Sequence, residues 1–144
     1  MSNSKVVLCH GVFDYFHWGH LKHIQEARKY GDVLVVSITA DAFVSKGPGR
    51  PLFTEQQRLD ILRSLACVDE VDLVHDKTAL PAIEKHRPAF YVKGADYNNT
   101  RGHSLLAIER AAVEQLGGQV VFTDHESGMS TTELIRRIFN VFRN

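Results

Sequence analysis

The sequence predicts an α/β domain: a doubly wound, mostly parallel, five-stranded sheet with helices on both faces. Three observations predict it. Short apolar, β-branched runs alternate with amphipathic runs along the 144 residues. Thr54-x-x-Gln57 and Ser130-x-x-Glu133 read as capping boxes that start helices. Gly31 and the Gly117-Gly118 pair stand where helices should stop. Strand and helix in strict alternation imply right-handed crossovers, and both faces of such a sheet are covered.

Taken in order, the apolar runs place strands at residues 5–9, 33–38, 71–74, 90–92 and 119–122. The amphipathic runs place helices at residues 19–30, 54–65, 79–86, 104–116 and 131–142. There is no internal repeat, low-complexity tract or linker, so residues 1–144 are expected to form one domain. Residues 45–53 are rich in Gly and Pro and read as a mobile active-site loop.

Lys plus Arg and Asp plus Glu both number 17, and the pI is near 7.1, so no basic excess argues for a nucleic-acid surface. A hydrophobic content of 44% is that of an ordinary soluble domain. Cys9 and Cys67 each sit in an apolar run and read as buried thiols, with no disulfide framework. No targeting or spanning segment is visible, which makes a cytoplasmic protein with no membrane partner the expectation.

The most informative stretch is His10 to His20. It runs from an apolar strand (Val6, Val7, Leu8) through a glycine-bearing turn into an amphipathic helix (Leu21, Ile24, Ala27, Tyr30). A helix N-terminus carries unpaired N–H groups and partial positive charge, and so attracts phosphate. His17 and His20 flank the point where a phosphate would sit, and Gly19 permits close approach. A nucleoside triphosphate fits this combination. His17, His20 and His23, with Cys9 and His10 nearby, also have metal-ligand residue types, but their spacing gives no good ligand set, and no protein metal site is assigned.

The pairing of Gly11-Val12-Phe13-Asp14 with His17-Trp18-Gly19-His20 resembles the signature of the cytidylyltransferase-like nucleotidyltransferases. Three later stretches agree in order and spacing. Lys46-Gly47-Pro48-Gly49-Arg50-Pro51 followed by Arg58 is similar to the family's lysine loop and arginine helix. Val92-Lys93-Gly94-Ala95-Asp96-Tyr97 and Ser130-Thr131-Thr132-Glu133-Leu134-Ile135 are similar to its later motifs.

The resemblance implies a Rossmann-like fold and transfer of a nucleoside monophosphate to a small phosphorylated acceptor, with release of pyrophosphate. It implies catalytic roles for His17, His20 and Lys46. It implies nucleotide binding by Gly11, Val12, Phe13, Gly19, Arg58, Gly94, Asp96, Ser130, Thr131 and Thr132. It implies acceptor binding by Asp14, Asp41 and Arg50. Asp41 has an equal claim to be a helix cap, and Lys93 stays unassigned. Mg²⁺ is expected with the triphosphate, held mostly by substrate oxygens and water. A homodimer is implied as well.

The Lys46–Pro51 and Val92–Tyr97 stretches look most like heptose-1-phosphate adenylyltransferases, which use ATP. His17–His20 and Val68-Asp69-Glu70-Val71 look equally like glycerol-3-phosphate cytidylyltransferases, which use CTP. The chain lacks the arginine that those enzymes carry near Asp124–Gly128. The reading leans to ATP and a heptose-1-phosphate-like sugar. CTP with a phosphorylated alcohol or a phosphonate is the alternative, and a nucleotide-binding module without turnover is the remote one.

Overall fold

In the computed structural model, which describes residues 4–95, 103–124 and 129–143, five strands and five α-helices alternate in chain order. The strands are β1 (Val6–Gly11), β2 (Val33–Thr39), β3 (Glu70–Val74), β4 (Phe90–Lys93) and β5 (Gln119–Phe122). The helices are α1 (Trp18–Arg28), α2 (Glu55–Arg63), α3 (Leu80–His86), α4 (His103–Gln115) and α5 (Thr131–Arg143). A short 3₁₀ turn at Asp41–Phe43, not anticipated from the sequence, follows β2.

The sheet order is β3-β2-β1-β4-β5, and every pairing is parallel. The chain winds outward from β1 in one direction through β2 and β3, then returns to add β4 and β5 on the other side. The switch point therefore lies between β1 and β4. Ligands of open α/β sheets bind beyond the carboxyl ends of the strands at such a point.

Side chains that alternate along each strand build two cores. Val7 and Cys9 of β1 and Leu34, Val36 and Ile38 of β2 pack with Ile24 and Ala27 of α1 and Leu59 and Leu62 of α2. Leu8, Val35, Val74 and Tyr91 point the other way, onto Ala82 and Ile83 of α3 and Leu106 and Val113 of α4. Both faces are buried, which is why the strands read as near-continuous apolar runs.

The caps follow the sequence reading. Thr54 and Gln57 form a reciprocal capping box on α2, and Ser130 Oγ accepts the Glu133 N–H at the start of α5. After α4, Gly117 adopts φ +89°, and a Cβ on Gly118 would come within 2.2 Å of the Pro88 carbonyl oxygen. Only glycine fits both positions.

β1 and β4 run further at their carboxyl ends than their apolar residues indicate. β1 includes His10 and Gly11, and β4 includes Lys93. Among the described residues, no helix is long and apolar enough to cross a membrane.

A nucleotide-sized cleft at the switch point

A cavity of about 750 Å³ opens beyond the carboxyl ends of β1 and β4, within the volume range of small-ligand sites. The β1–α1 loop forms its floor. Phe13 (φ 52°) and Tyr15 (φ 49°) flank Asp14 in left-handed backbone, which costs energy for residues with side chains. Asp14 holds this loop. Its buried carboxylate accepts the Leu52 and Phe53 N–H groups at 2.7 and 3.0 Å and the Arg50 Nε at 3.0 Å. Burial alone would raise the Asp14 carboxyl, but these donors outweigh it and hold the group below the usual carboxylate range. The second half of the 45–53 segment is thus tied down through Asp14. Residues 45–49 are exposed, and Gly47 and Gly49 have positive φ.

Helix α1 starts at Trp18, one residue earlier than expected, because His17 caps it. The Gly19 N–H donates to His17 Nδ1 at 3.0 Å, and the His17 N–H donates to His20 Nδ1 at 3.2 Å. This capping box is made of two imidazoles, with their rings stacked at 3.8 Å between centroids. Burial, followed by the nearby His17, His23 and Lys46, pushes His20 down to about 3. Burial also lowers His17. Both rings are therefore neutral at physiological pH. With each Nδ1 accepting a hydrogen bond, the single proton sits on Nε2. His17 Nε2 is buried and has no hydrogen-bond partner among the described residues. A buried donor of this kind calls for a ligand atom.

Of the residues singled out in the sequence, Gly11, Val12, Phe13, Asp14, His17, Gly19 and His20 line this cleft. So do Lys46, Arg50, Gly94, Ser130, Thr131 and Thr132. Thr131 Oγ1 donates to the Asp14 carbonyl at 2.7 Å, docking the N-terminus of α5 beside that of α1. Among the described residues, a Cβ on Gly94 would meet no atom within 4 Å. Asp96 lies outside the described residues.

Two expected site residues are not brought to the cleft. Arg58 is 1% exposed and fully engaged. Its guanidinium donates to the carbonyls of Phe53, Val12 and Thr39 and pairs with Asp41 at 2.7 Å. Asp41 is the acidic partner that offsets a cation near the N-terminus of α2. Asp41 and Glu55 also accept each other's backbone N–H, while the 3₁₀ turn that Asp41 opens has no side-chain cap. Neither residue lines the cavity. Arg58 staples the loops after β1 and β2 together and supports the floor of the cleft.

The lining also includes His10, His23, Lys93 and Arg137, to which the sequence assigned no site role. His10 points its ring nitrogens at Ser37 Oγ (2.8 Å) and Thr39 Oγ1 (3.3 Å). Burial, then the charge of Lys93, pushes His10 down to about 3. His23 Nδ1 lies 3.3 Å from Thr123 Oγ1, and burial with Lys93 pushes it to about 4. Lys93 and Arg137 complete the basic lining. The helix pattern would have located His23, whose spacing from His20 continues the same face. His10 and Lys93 needed the true strand ends.

A Rossmann-like sheet thus brings paired helix mouths and neutral imidazole donors to one cleft, a donor set suited to phosphate. The chain belongs to the cytidylyltransferase-like family, whose model matches residues 8–137. It is 41% identical over 137 residues to the bifunctional protein HldE of Syntrophotalea carbinolica, covering 94% of this chain and 27% of that protein. HldE of Geobacter sulfurreducens is 39% identical over 141 residues, 96% of this chain and 28% of the relative. The chain thus spans about a quarter of the length of the curated relatives it matches. Among solved structures, a lipopolysaccharide core biosynthesis protein from Thermoplasma volcanium superposes with a TM-score of 0.71 at 26% identity, covering 87% of this chain and all of that one.

Proposed function

We propose that the chain transfers the nucleoside monophosphate of a triphosphate to the phosphate of a small phosphorylated sugar. An anionic oxygen of the acceptor phosphate forms a bond to the α-phosphorus. The bond from that phosphorus to the bridging oxygen breaks, and pyrophosphate leaves with the charge. No side-chain nucleophile and no proton transfer are needed, because both the attacking and the departing oxygens belong to phosphates.

The observation that carries this reading is the pair of neutral imidazoles locked as Nε2–H donors at the α1 mouth. Fixed donors contribute most where charge grows during the reaction, and here it grows on the leaving pyrophosphate. The mouth of α5, with Ser130, Thr131 and Thr132, adds donors for the same phosphates. Lys46 reaches in from the exposed part of its loop.

Mg²⁺ would be held by the triphosphate itself and would neutralise part of its charge. The two carboxylates on the lining are already engaged, Asp14 by Arg50 and two N–H groups and Glu133 by Arg136. Such a lining suits an ion that brings substrate oxygens and water as its ligands. The sequence similarity to HldE proteins and the Lys46–Pro51 and Val92–Tyr97 stretches support ATP and a heptose-1-phosphate-like acceptor. Pyrophosphate release, measured for ATP and CTP crossed with sugar 1-phosphates, polyol phosphates and phosphonates, tests this. The expected best pair is ATP with a heptose 1-phosphate. Equal inactivity of all pairs would overturn the assignment.

A further inference from the structure

We infer that Lys93 is the cation that receives the acceptor's phosphate, and that Tyr91 and Glu109 are positioning residues that hold it there. This rests on the nucleotidyl transfer proposed above. Lys93 ends β4 at the switch point and lines the cavity, although the residue is only 6% exposed. Its Nζ lies 3.3 Å from the His10 carbonyl oxygen and 3.4 Å from the Tyr91 hydroxyl, and 5.1 Å from the centre of the Tyr91 ring. The Tyr91 hydroxyl donates to Glu109 Oε1 at 2.8 Å, and Glu109 Oε2 accepts the Ala79 N–H at 2.8 Å. Tyr91 and Glu109 are themselves buried.

A charged carboxylate in a core is costly unless it answers something. Glu109 answers the first N–H of the α3 region and, through one hydroxyl, an ammonium at the cavity wall. The chain Glu109–Tyr91–Lys93 leads from the α3/α4 core to the cleft and fixes the ammonium before substrate arrives. Fixed charge is more effective than charge on a flexible stem, because no reorganisation is needed on binding.

The side of the sheet decides which phosphate it meets. Lys93, Tyr91 and His10 lie on the face shared with Leu8 and Val35, the α3/α4 side. The mouth of α1 serves the opposite face, where Ile24 and Ala27 pack. In-line displacement places the attacking oxygen opposite the leaving group. With pyrophosphate held at the α1 and α5 mouths, the attacking phosphate comes from the Lys93 side. Asp14, Arg50 and Asp41, the residues first expected to bind acceptor, are already bound to one another or to Arg58.

The test uses the whole chain with Lys93→Met and Tyr91→Phe, and heptose 1-phosphate and glycerol 3-phosphate as probes. Calorimetric titration of each probe, and separately of ATP and CTP, reads binding without turnover. Pyrophosphate release reads kcat and the acceptor KM. Lys93→Met is expected to weaken binding of the acceptor that the wild type prefers at least tenfold, and nucleotide binding less than threefold. Tyr91→Phe is expected to raise the acceptor KM several-fold with kcat within about twofold. Weakening of nucleotide at least as great as that of acceptor would overturn the inference, as would wild-type binding of neither probe. Acceptor binding that depends on Lys93 in a chain that releases no pyrophosphate would support the subsite and reject the reaction. If Tyr91→Phe lowers kcat and both binding constants together with Tm, its role is structural and the positioning chain is refuted.

Discussion

An imidazole that caps a helix through Nδ1 has one proton to offer, and it sits on Nε2. His17 and His20 both do this, which turns a local capping device into a pair of aimed donors. Replacing either with Ala removes a donor that strengthens as charge reaches the leaving group. Each change is expected to lower kcat by roughly 10²- to 10³-fold with much smaller effects on nucleotide Kd. Steady-state kinetics beside binding titrations check it, and unchanged kcat would remove these residues from the mechanism. The same histidines make stability pH-dependent. Folded His10 and His20 titrate near 3 and His23 near 4, against about 6.5 in an unfolded chain. Between these values the unfolded state binds more protons, so stability is full above about pH 6.5 and is lost as pH falls towards 4. The slope is up to about 1.4 kcal/mol per pH unit per histidine. Urea midpoints measured at pH 7.5 and pH 5 should fall accordingly; equal midpoints would contradict the burial of neutral rings. Arg58 gives the opposite contrast of residue roles. Arg58→Met strands three carbonyls and Asp41, and should cost about 3 kcal/mol or more.

At the scale of elements, the lysine loop divides in two. Its second half is bound to Asp14, while Lys46 stands on the exposed half with little packing to lose. Lys46→Ala should therefore cut turnover strongly and shift Tm by less than about 2 °C, consistent with a surface substitution. A large fall in Tm with intact turnover would make Lys46 structural. The elements also show what a sequence can reveal. The helix starts at Thr54 and Ser130 were legible because a capping box is a local chemical pattern. The ends of β1 and β4 were not, because His10 and Lys93 interrupt the apolar runs even though the backbone continues into register with β2 and β5. Those two polar residues are tolerated on strands because the strand ends open into the cleft. The role of Arg58 was illegible for another reason. Its partners Val12, Thr39 and Phe53 are carbonyls from three separated segments, and backbone acceptors leave no trace in residue type.

For the whole molecule, the alternation of strand and helix was sufficient to predict the sheet and its two covered faces, and the order around β1 then placed the cleft. The mouths of α1 and α5 come from segments more than a hundred residues apart, yet Thr131 hydrogen-bonds the Asp14 carbonyl. A triphosphate spanning both should stabilise the fold as a unit. ATP with Mg²⁺ at a hundred times its Kd is expected to add about 2.7 kcal/mol, read as a rise in Tm, and no rise at saturation would contradict a preformed site. The proposed reaction requires that an acceptor phosphate oxygen attack the α-phosphorus. Heptose 1-phosphate carrying ¹⁸O in its phosphate, turned over with unlabelled ATP and analysed by mass spectrometry, tests it most directly. All of the label is expected to stay in the sugar product, with none in the released pyrophosphate; label in the pyrophosphate, or a product that has lost an acceptor oxygen, would contradict attack by the acceptor phosphate.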